Sequence, residues 1–314
     1  MSGNYPMSNF PNGVARGISV RGMPILNMYS GNVLWVDSNG SSNGDGTFQR
    51  PYASVVKAIA KASAGDLIMV KPGHTETYSA AGDLTLSVAG VTIVGLGYGS
   101  RRPTFTLDTA TTATIAVSAA NVAFKNCIFT ANFADIVSVF TLTTAKNFTL
   151  EECYFKATAT NMNFLNIVDT DATTGNADGL ALINNKWIEP DTATLGMVKM
   201  DGTNADVEIL GNYCNLGVQN NTASLMAIAT GKIVTSLNMS KNRVYRLNTD
   251  TATGGILLTT DGSTNTGIVS ENFVQHADTA AEILVTASSG LAFYDNKASG
   301  VAGASGYLLP AADS

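Results

Sequence analysis

Charged residues are scarce in this 314-residue chain. Only 13% of its residues are Asp, Glu, Lys or Arg, about half the share of a typical soluble domain. A disordered chain needs high charge and few apolar residues, whereas hydrophobic residues make up 45% of this sequence. The chain is also rich in Thr (36), Asn (28) and Gly (30), which are poor helix formers. The composition therefore excludes disorder and predicts a β-rich domain with many turns.

Basic patches, cysteine pairs and long apolar runs are missing as well. A net charge of −6 and a pI near 4.9 provide no basic footprint for nucleic acid or an anionic membrane. The apolar stretches are too short to span a bilayer, and the N-terminus lacks a signal-peptide pattern. Three cysteines without a CxxC spacing predict neither a disulfide framework nor a zinc site. We therefore expect a chain that is made and kept in a reducing compartment.

The chain divides into three parts by pattern. Residues 1–33 are rich in Asn, Gly, Pro and Met and are interpreted as an extended N-terminal arm. Residues 34–300 carry short strand-like segments and form the folded domain, and residues 301–314 are interpreted as a tail that makes an oligomer contact. A short helix is predicted over about 54–64, because Ser54 suits an N-cap and Gly65 a C-terminal stop.

An internal repeat runs through the folded domain. Its template is apolar, any, apolar, two corner residues, one special slot, any, apolar. The slots fall at residues 96, 127, 153, 185, 212, 242, 272 and 296. Steps of 24–32 residues are too short for propeller blades, and the leucine-rich consensus is absent. The repeat therefore predicts an all-β, right-handed parallel β-helix of about eight or more coils.

Five consecutive slots are asparagines, and the two slots before them are cysteines. The predicted column is Asn185, Asn212, Asn242, Asn272 and Asn296, preceded by Cys127 and Cys153. Asparagine tolerates the left-handed backbone of a sharp corner, and stacked amides can form a hydrogen-bonded ladder. The cysteines are predicted to be buried thiols without a disulfide. The residues two after each slot predict an interior column: Tyr98, Phe129, Phe155, Trp187, Cys214, Val244, Val274 and Ala298.

Several motifs near the start of the domain resemble the N-terminal signature of pectate-lyase-like β-helix proteins. They are VDSNG at 36–40, GDGT at 44–47, PYAS at 51–54, AGD at 64–66 and VKPG at 70–73. The longer strings KPGHTET at 71–77 and LTLSVAGVTIVGLG at 84–97 resemble β-helix proteins of tailed bacteriophages. The resemblance implies a helix that caps the open end of the solenoid and a phage origin. It implies no particular activity, because one fold hosts many functions.

Catalytic constellations known on this fold are not evident in the sequence. Asp169 and Asp171 form the only closely spaced Asp pair of the coils, and a turn is favoured over a metal site there. Asn248-Thr249-Asp250 matches only a fragment of the polygalacturonase motif. His74 is interpreted as a surface or hydrogen-bonded turn residue, and His276 has no adjacent nucleophile. We predict no catalytic residues, no bound metal and no cofactor.

Three functions remain open at this stage. The favoured one is a non-catalytic virion structural protein that decorates or cements a phage capsid, or forms a short head fibre. The alternatives are a tailspike-like polysaccharide lyase or hydrolase and a carbohydrate-binding adhesin. The expected partners are further copies in a homotrimer and a capsid or other virion protein, with a host glycan as the alternative. Capsid contacts are assigned to apolar residues of the arm: Tyr5, Phe10, Met23, Ile25, Leu26, Met28 and Tyr29.

Overall fold

The computed structural model describes most of the chain. It describes residues 18–20, 23–25, 31–218, 225–246, 256–259, 264–276, 290–300 and 305–307. Within these residues the strands are short, and nearly all of them pair in parallel with strands one coil away. Parallel pairing of this kind requires a crossover between successive strands of a sheet, and here the other two sheets supply it.

Three parallel sheets form the walls of a solenoid. The first sheet contains strands Val33–Val36, Leu67–Val70, Thr92–Gly95, Ala123–Lys125, Thr149–Glu151, Ala181–Ile183, Glu208–Leu210, Leu237–Ser240, Thr266–Ser270 and Gly290–Tyr294. The second sheet contains strands Thr75–Tyr78, Thr104–Leu107, Ile128–Ala131, Tyr154–Ala157, Lys186–Thr194, Tyr213–Val218, Arg243–Arg246, Phe273–His276 and Lys297–Gly300, with Ser305–Tyr307 antiparallel at its end. The third sheet contains strands Leu84–Leu86, Ile115–Val117, Ile136–Leu142, Phe164–Thr170, Gly196–Met200, Met226–Ile228 and Leu257–Thr259.

This arrangement confirms the predicted all-β parallel β-helix. Seven coils of the described chain carry a strand in all three sheets, and the first sheet is ten strands long. The predicted number of about eight coils lies between the seven complete coils and the ten strands of the first sheet. The difference arises because the outermost coils contribute strands to only one or two sheets. Two further pairs of short strands are Asn204–Ala205 with Val234–Thr235, and Ile18–Val20 with Met23–Ile25.

The core is built from side chains that stack from coil to coil. In the second sheet Phe105, Phe129 and Phe155 are fully buried, with ring centroids 5.5 and 5.2 Å apart. The register places Trp187 and then Cys214 next in the same column. Side chains on alternate positions of a strand point to opposite faces, so this inward column leaves the flanking positions facing outward.

One predicted member of the interior column is wrong. Tyr98 is 94% exposed, because the chain makes a 3₁₀ turn at Gly99–Arg101 before the next strand begins at Thr104. Phe105 takes the inward position of that coil and pairs in register with Phe129. The corner after Leu96 is therefore longer than the repeat template assumes.

The predicted asparagines form a continuous ladder inside one corner. Asn185, Asn212, Asn242, Asn272 and Asn296 are at most 1% exposed. The side-chain amide of each of the first four donates to Oδ1 of the next, at 2.9–3.1 Å. The backbone N–H of each of those four donates to the same oxygen, at 2.9–3.1 Å. Each amide also donates to a backbone carbonyl of the preceding coil.

The backbone conformation of this corner corrects one expectation. The left-handed residue is not the ladder asparagine but the residue before it, as shown by φ values of 53° at Asn184, 65° at Gly211 and 60° at Lys241. Asn126 and Glu152, before the two cysteines, have φ values of 55°. The bend is thus made one position earlier, and the asparagine is retained for its hydrogen bonds.

Cys127 and Cys153 occupy the ladder column as predicted, and both are buried free thiols. The backbone N–H of Cys153 donates to Oδ1 of Asn185 at 2.9 Å. The Cys153 thiol lies 3.7 Å from the carbonyl oxygen of Phe124, where an asparagine of the ladder would place its amide. Burial raises the pKa of Cys153 to about 12, so the thiol is protonated and can donate.

A short helix closes the N-terminal end of the core. It spans Val55–Ile59 and is therefore shorter than the predicted 54–64, although Ser54 is its N-cap and accepts a hydrogen bond from the Lys57 N–H at 3.2 Å. The helix contacts strands Val33–Val36, Leu67–Val70 and Leu84–Leu86. These are the first strands of the first and third sheets, so the helix covers the apolar end of the solenoid.

Candidate functional site

The outward face of the second sheet carries a group of aromatic and cationic side chains, which we call the cation–tyrosine strip. Its members are Arg102, Tyr154, Lys156, Lys186, Tyr213, Arg243, Tyr245 and Phe273. Strand register aligns five of them in one column, in the order Tyr154, Lys186, Tyr213, Arg243 and Phe273. Neighbouring members of this column lie about 4.8 Å apart along the solenoid.

Lys186 is the centre of the strip. Its ammonium nitrogen lies 5.3 Å from the ring centroid of Tyr154 and 5.6 Å from that of Tyr213. Tyr154 also receives Lys156 and Arg102, each 5.9 Å from its ring centroid. A cation within about 6 Å of an aromatic centroid is attracted by the negative face of the ring. Two tyrosine rings thus hold the Lys186 ammonium on the surface.

The strip continues towards the C-terminal end as an aromatic cluster beside a shallow groove. The rings of Tyr213 and Tyr245 are 5.4 Å apart, and those of Tyr245 and Phe273 are 5.7 Å apart. The groove has a volume of about 510 Å³, and its walls are formed by Lys241, Arg243, Tyr245, Glu271 and Phe273. Arg243 lines the groove and is exposed, so a ligand can reach the guanidinium.

The cations of the strip differ from those on the other two faces. On the first sheet Lys125 pairs with Glu151, and on the third sheet Lys199 pairs with Asp169 at 3.4 Å and with Asp201. Among the described residues, neither Lys186 nor Arg243 forms an ion pair with a carboxylate. Lys186 and Arg243 therefore have no contacting carboxylate among the described residues, and the acidic residue of the groove is Glu271 in its wall.

Tyr154 keeps its proton at neutral pH. Partial burial raises the pKa of its phenol, and this effect exceeds the opposing attraction of the Arg102 guanidinium. The hydroxyl therefore remains both a donor and an acceptor of hydrogen bonds. A ligand on the strip would meet neutral hydroxyl groups interleaved with ammonium and guanidinium groups.

Sequence reasoning missed this strip although its signal is present. The repeat template leaves the position directly after each slot unspecified, and those positions hold Tyr154, Lys186, Tyr213, Arg243 and Phe273. The template residue that follows each of them points inward, so these five must point outward. The aromatic side chains were expected mostly at inward positions, and these are the exceptions.

Asp169 and Asp171, the closely spaced pair of the sequence analysis, have different roles in the structure. Asp171 accepts hydrogen bonds from the Thr173 N–H at 3.1 Å and from the Asn176 amide at 3.0 Å, which is the pattern of a turn. Asp169 is on the third sheet and contacts Lys199, which also contacts Asp201. Burial raises the pKa of Asp169 despite the attraction of Lys199.

His74 is buried and not on the surface. It is 1% exposed, and its Nε2 lies 3.1 Å from Oε2 of Glu76. The same oxygen accepts the backbone N–H of Val55, at the start of the cap helix, at 2.8 Å. The pair therefore fastens the helix to the second sheet. Within the described chain, no group of three or more His, Cys, Asp or Glu residues is placed to hold a metal ion.

The predicted arm contacts fall mostly outside the described residues. Tyr5, Phe10, Leu26, Met28 and Tyr29 lie outside them altogether. Met23 and Ile25 belong to the short strand Met23–Ile25, whose backbone alone is described. The side chain of His276, as well as Asp250 and the rest of its motif, also lies outside the described residues.

Comparisons with known proteins give no family for this chain. No protein-family model and no curated protein matches the chain. Among solved structures, it is similar to a rhamnogalacturonan lyase at 12% identity and a TM-score of 0.47, over 86% of this chain and 87% of that one. It is also similar to ORF18 of Geobacillus virus E2 at 11% identity and a TM-score of 0.37, over 79% of this chain and 58% of that one. No helix among the described residues is long and apolar enough to cross a membrane.

Proposed function

We propose that this chain is a non-catalytic structural protein of a tailed-bacteriophage virion, which decorates or cements the capsid or forms a short head fibre. It is held there through its N-terminal region and assembles as a homotrimer. The motifs between residues 36 and 97 support the phage assignment through their resemblance to β-helix proteins of tailed phages. Synthesis in the host cytoplasm is consistent with three buried free thiols.

The non-catalytic assignment is carried by one observation: the carboxylates on the sheet faces are bound by lysines. Glu151 is bound by Lys125, and both Asp169 and Asp201 are bound by Lys199. A glycosidase on this fold needs two carboxylates that flank a sugar bond with access to it. Here a lysine already occupies the space between Asp169 and Asp201, so the pair is organised as a surface salt bridge.

A second candidate is a tailspike-like polysaccharide lyase or hydrolase, and one observation favours it. A general acid needs a raised pKa, and burial raises the pKa of Asp169. In that case Asp169 would protonate a leaving group while Asp201 supplied the second carboxylate. Lys199 would have to move away from both oxygens first, and this requirement makes the candidate the weaker one.

Purified virions and a substrate panel test the proposal. Mass spectrometry should detect the protein in density-purified virions, and gold-labelled antibodies should place it on the head. Multi-angle light scattering should give a mass of three chains for the isolated protein. Absence from virions would refute the assignment. Release of unsaturated or reducing ends from a polysaccharide, lost in Asp169→Asn, would establish the enzyme instead.

A further inference from the structure

We propose that the cation–tyrosine strip is a docking surface for an acidic protein surface, in which exposed Asp and Glu side chains of another virion protein contact Lys186 and Arg243. The identity of the partner as a virion protein rests on the proposed function. The location of the surface and the charge of the partner rest on the structure alone.

The charge distribution of the second sheet is the first argument. Its two outward columns run from Thr75 to Lys297 and from Thr77 to Ser299, and the one register shift among these strand pairs lies beyond both columns, after Glu189. Neither column contains an Asp or Glu residue, although the whole chain carries a net charge of −6. A local positive face on an acidic protein orients an acidic partner and speeds its association.

The second argument is that the cations are available and already positioned. Lys186 and Arg243 are exposed, and they lie two coils apart in one column, about 10 Å along the solenoid. The two tyrosine rings beside Lys186 restrict its long side chain, which lowers the entropy lost when a carboxylate binds. Arg243 can hold a carboxylate through two parallel hydrogen bonds.

The third argument concerns the class of partner. Sugars and bases bind aromatic side chains by stacking on a free ring face, but the Lys186 ammonium lies over both Tyr154 and Tyr213. Around Lys186, what remains is hydroxyl groups, ring edges and cations, and of the strip's described rings only Tyr245 and Phe273 at the groove carry no cation over them. Tyr and Arg are enriched in the centres of protein interfaces. Nucleic acid is disfavoured further, because its affinity comes from many phosphate contacts and this chain is acidic.

Binding of a fluorescent 20-residue poly-L-glutamate peptide tests the surface directly. Wild-type protein should bind it at low ionic strength and lose affinity as salt is added. Lys186→Glu and Arg243→Glu should each weaken binding by roughly tenfold, and Lys186→Gln should weaken it by a smaller factor. Lys61→Glu is the matched control, because it changes the net charge equally at an exposed position beyond the cap helix. Thermal melts confirm that each variant is folded.

Two further probes and a capsid assay complete the design. Oligogalacturonate and a single-stranded oligonucleotide are measured with the same variants. Stronger binding of either probe than of the peptide, reduced by Lys186→Glu, would replace the acidic-protein assignment. Equal peptide binding by Lys186→Glu and Lys61→Glu, or no binding to any probe, would refute the site. These measurements need no virion, so absence of the protein from virions refutes the proposed function without affecting them. If the protein is in virions, Lys186→Glu should also reduce binding to undecorated capsids.

Discussion

The side-chain amide of Asn242 donates a hydrogen bond of 2.9 Å to Oδ1 of Asn272, the equivalent residue one coil further along. The same oxygen accepts the backbone N–H of Asn242 at 3.0 Å, and the second amide hydrogen of Asn242 is donated to the carbonyl of Ile209 at 2.7 Å. One buried side chain thus satisfies polar groups of three successive coils. Because every side-chain polar atom of the five asparagines has a partner, the ladder holds the corner without burying an unpaired amide.

Replacement of Asn242 by Val should destabilise the protein by about 1–3 kcal/mol. Valine cannot accept from the N–H and the amide of Asn212, which donate to Asn242 at 2.9 and 3.0 Å, so these groups would be buried without an acceptor. Urea unfolding measures the loss. The control is Asn43→Val in an exposed loop, which should change the free energy of unfolding little. Equal losses at both sites would contradict the ladder.

Glycine substitutions at adjacent positions should separate the bend from the ladder. Asn184→Gly should be tolerated within about 1 kcal/mol, because glycine adopts the left-handed region readily and its main cost is entropy of the unfolded chain. Asn184 has a φ of 53°. Asn185→Gly should cost about 1–3 kcal/mol, because it removes the acceptor of the Cys153 N–H. A larger loss at Asn184 would show that its side chain is needed.

The repeat, the walls of the solenoid and the buried asparagine column were all predictable from sequence. Apolar residues two apart, followed by a fixed corner, specify a strand and its inward face. The left-handed residue of the corner was assigned to the slot, but it is the residue before the slot. The residue type is uniform at the slot and varies at the position before it, so the sequence pattern drew attention to the slot. Asn184, Gly211, Lys241 and Glu271 all adopt the left-handed conformation, and Lys and Glu gave no signal of it.

The candidate site was not predictable in the same way. Tyr154, Lys186 and Tyr213 are 32 and 27 residues apart in sequence, and only the register of the second sheet brings them together. Corner lengths set that register, and they vary from coil to coil. The misplacement of Tyr98 has the same origin, since the 3₁₀ turn at Gly99–Arg101 has no counterpart in the template.

The buried thiols should make the stability depend on pH above about 8.5. Burial raises the pKa of both Cys153 and Cys214 to about 12, so the folded state holds protons that the unfolded state loses. The stabilisation from the protonated thiols is fully present below the thiol pKa of the unfolded state. It is lost as the pH rises towards 12, by up to about 1.4 kcal/mol per pH unit for each thiol. Urea melts at pH 7.5, 9 and 10.5 measure it.

A variant isolates the effect of one thiol. Cys214→Ala should lose stability less steeply than wild type over this pH range, because one titrating group is gone. At pH 8 a disulfide reagent should modify the thiols of the native protein very slowly and all three after unfolding. Identical pH slopes for wild type and Cys214→Ala would contradict the assignment.

Asp169→Asn should keep or raise the melting temperature at pH 7. Burial raises the pKa of Asp169 above its ordinary value of 3.8, despite the attraction of Lys199. The folded protein is therefore stabilised by the neutral carboxyl below pH 3.8, and this stabilisation is lost as the pH rises through the pKa of the folded state. Asparagine stays neutral and its oxygen can still accept from Lys199. The difference from wild type should vanish at pH 3. A lower melting temperature at pH 7 alone would show that the attraction to Lys199 outweighs burial.

Removal of residues 1–30 should leave the melting temperature nearly unchanged and abolish binding to undecorated capsids. The cut must spare Asn32, whose backbone N–H donates to Oδ1 of Asp66 at 2.7 Å, and Val33, which begins the first strand. Asp66 also accepts the Ser63 N–H at 2.7 Å, so it ties the start of the solenoid to the chain after the cap helix.

Removal of residues 1–33 is the informative comparison. It should lower the melting temperature by a few degrees, because a buried carboxylate loses a hydrogen bond worth about 1.5–3 kcal/mol and the first sheet loses a residue of its end strand. Capsid binding should be lost equally in both deletions if the arm alone attaches the protein. Co-sedimentation with capsids and differential scanning calorimetry measure the two effects separately. Retained capsid binding by the protein without residues 1–30 would move the attachment to the solenoid, where Lys186→Glu then tests the cation–tyrosine strip as the contact.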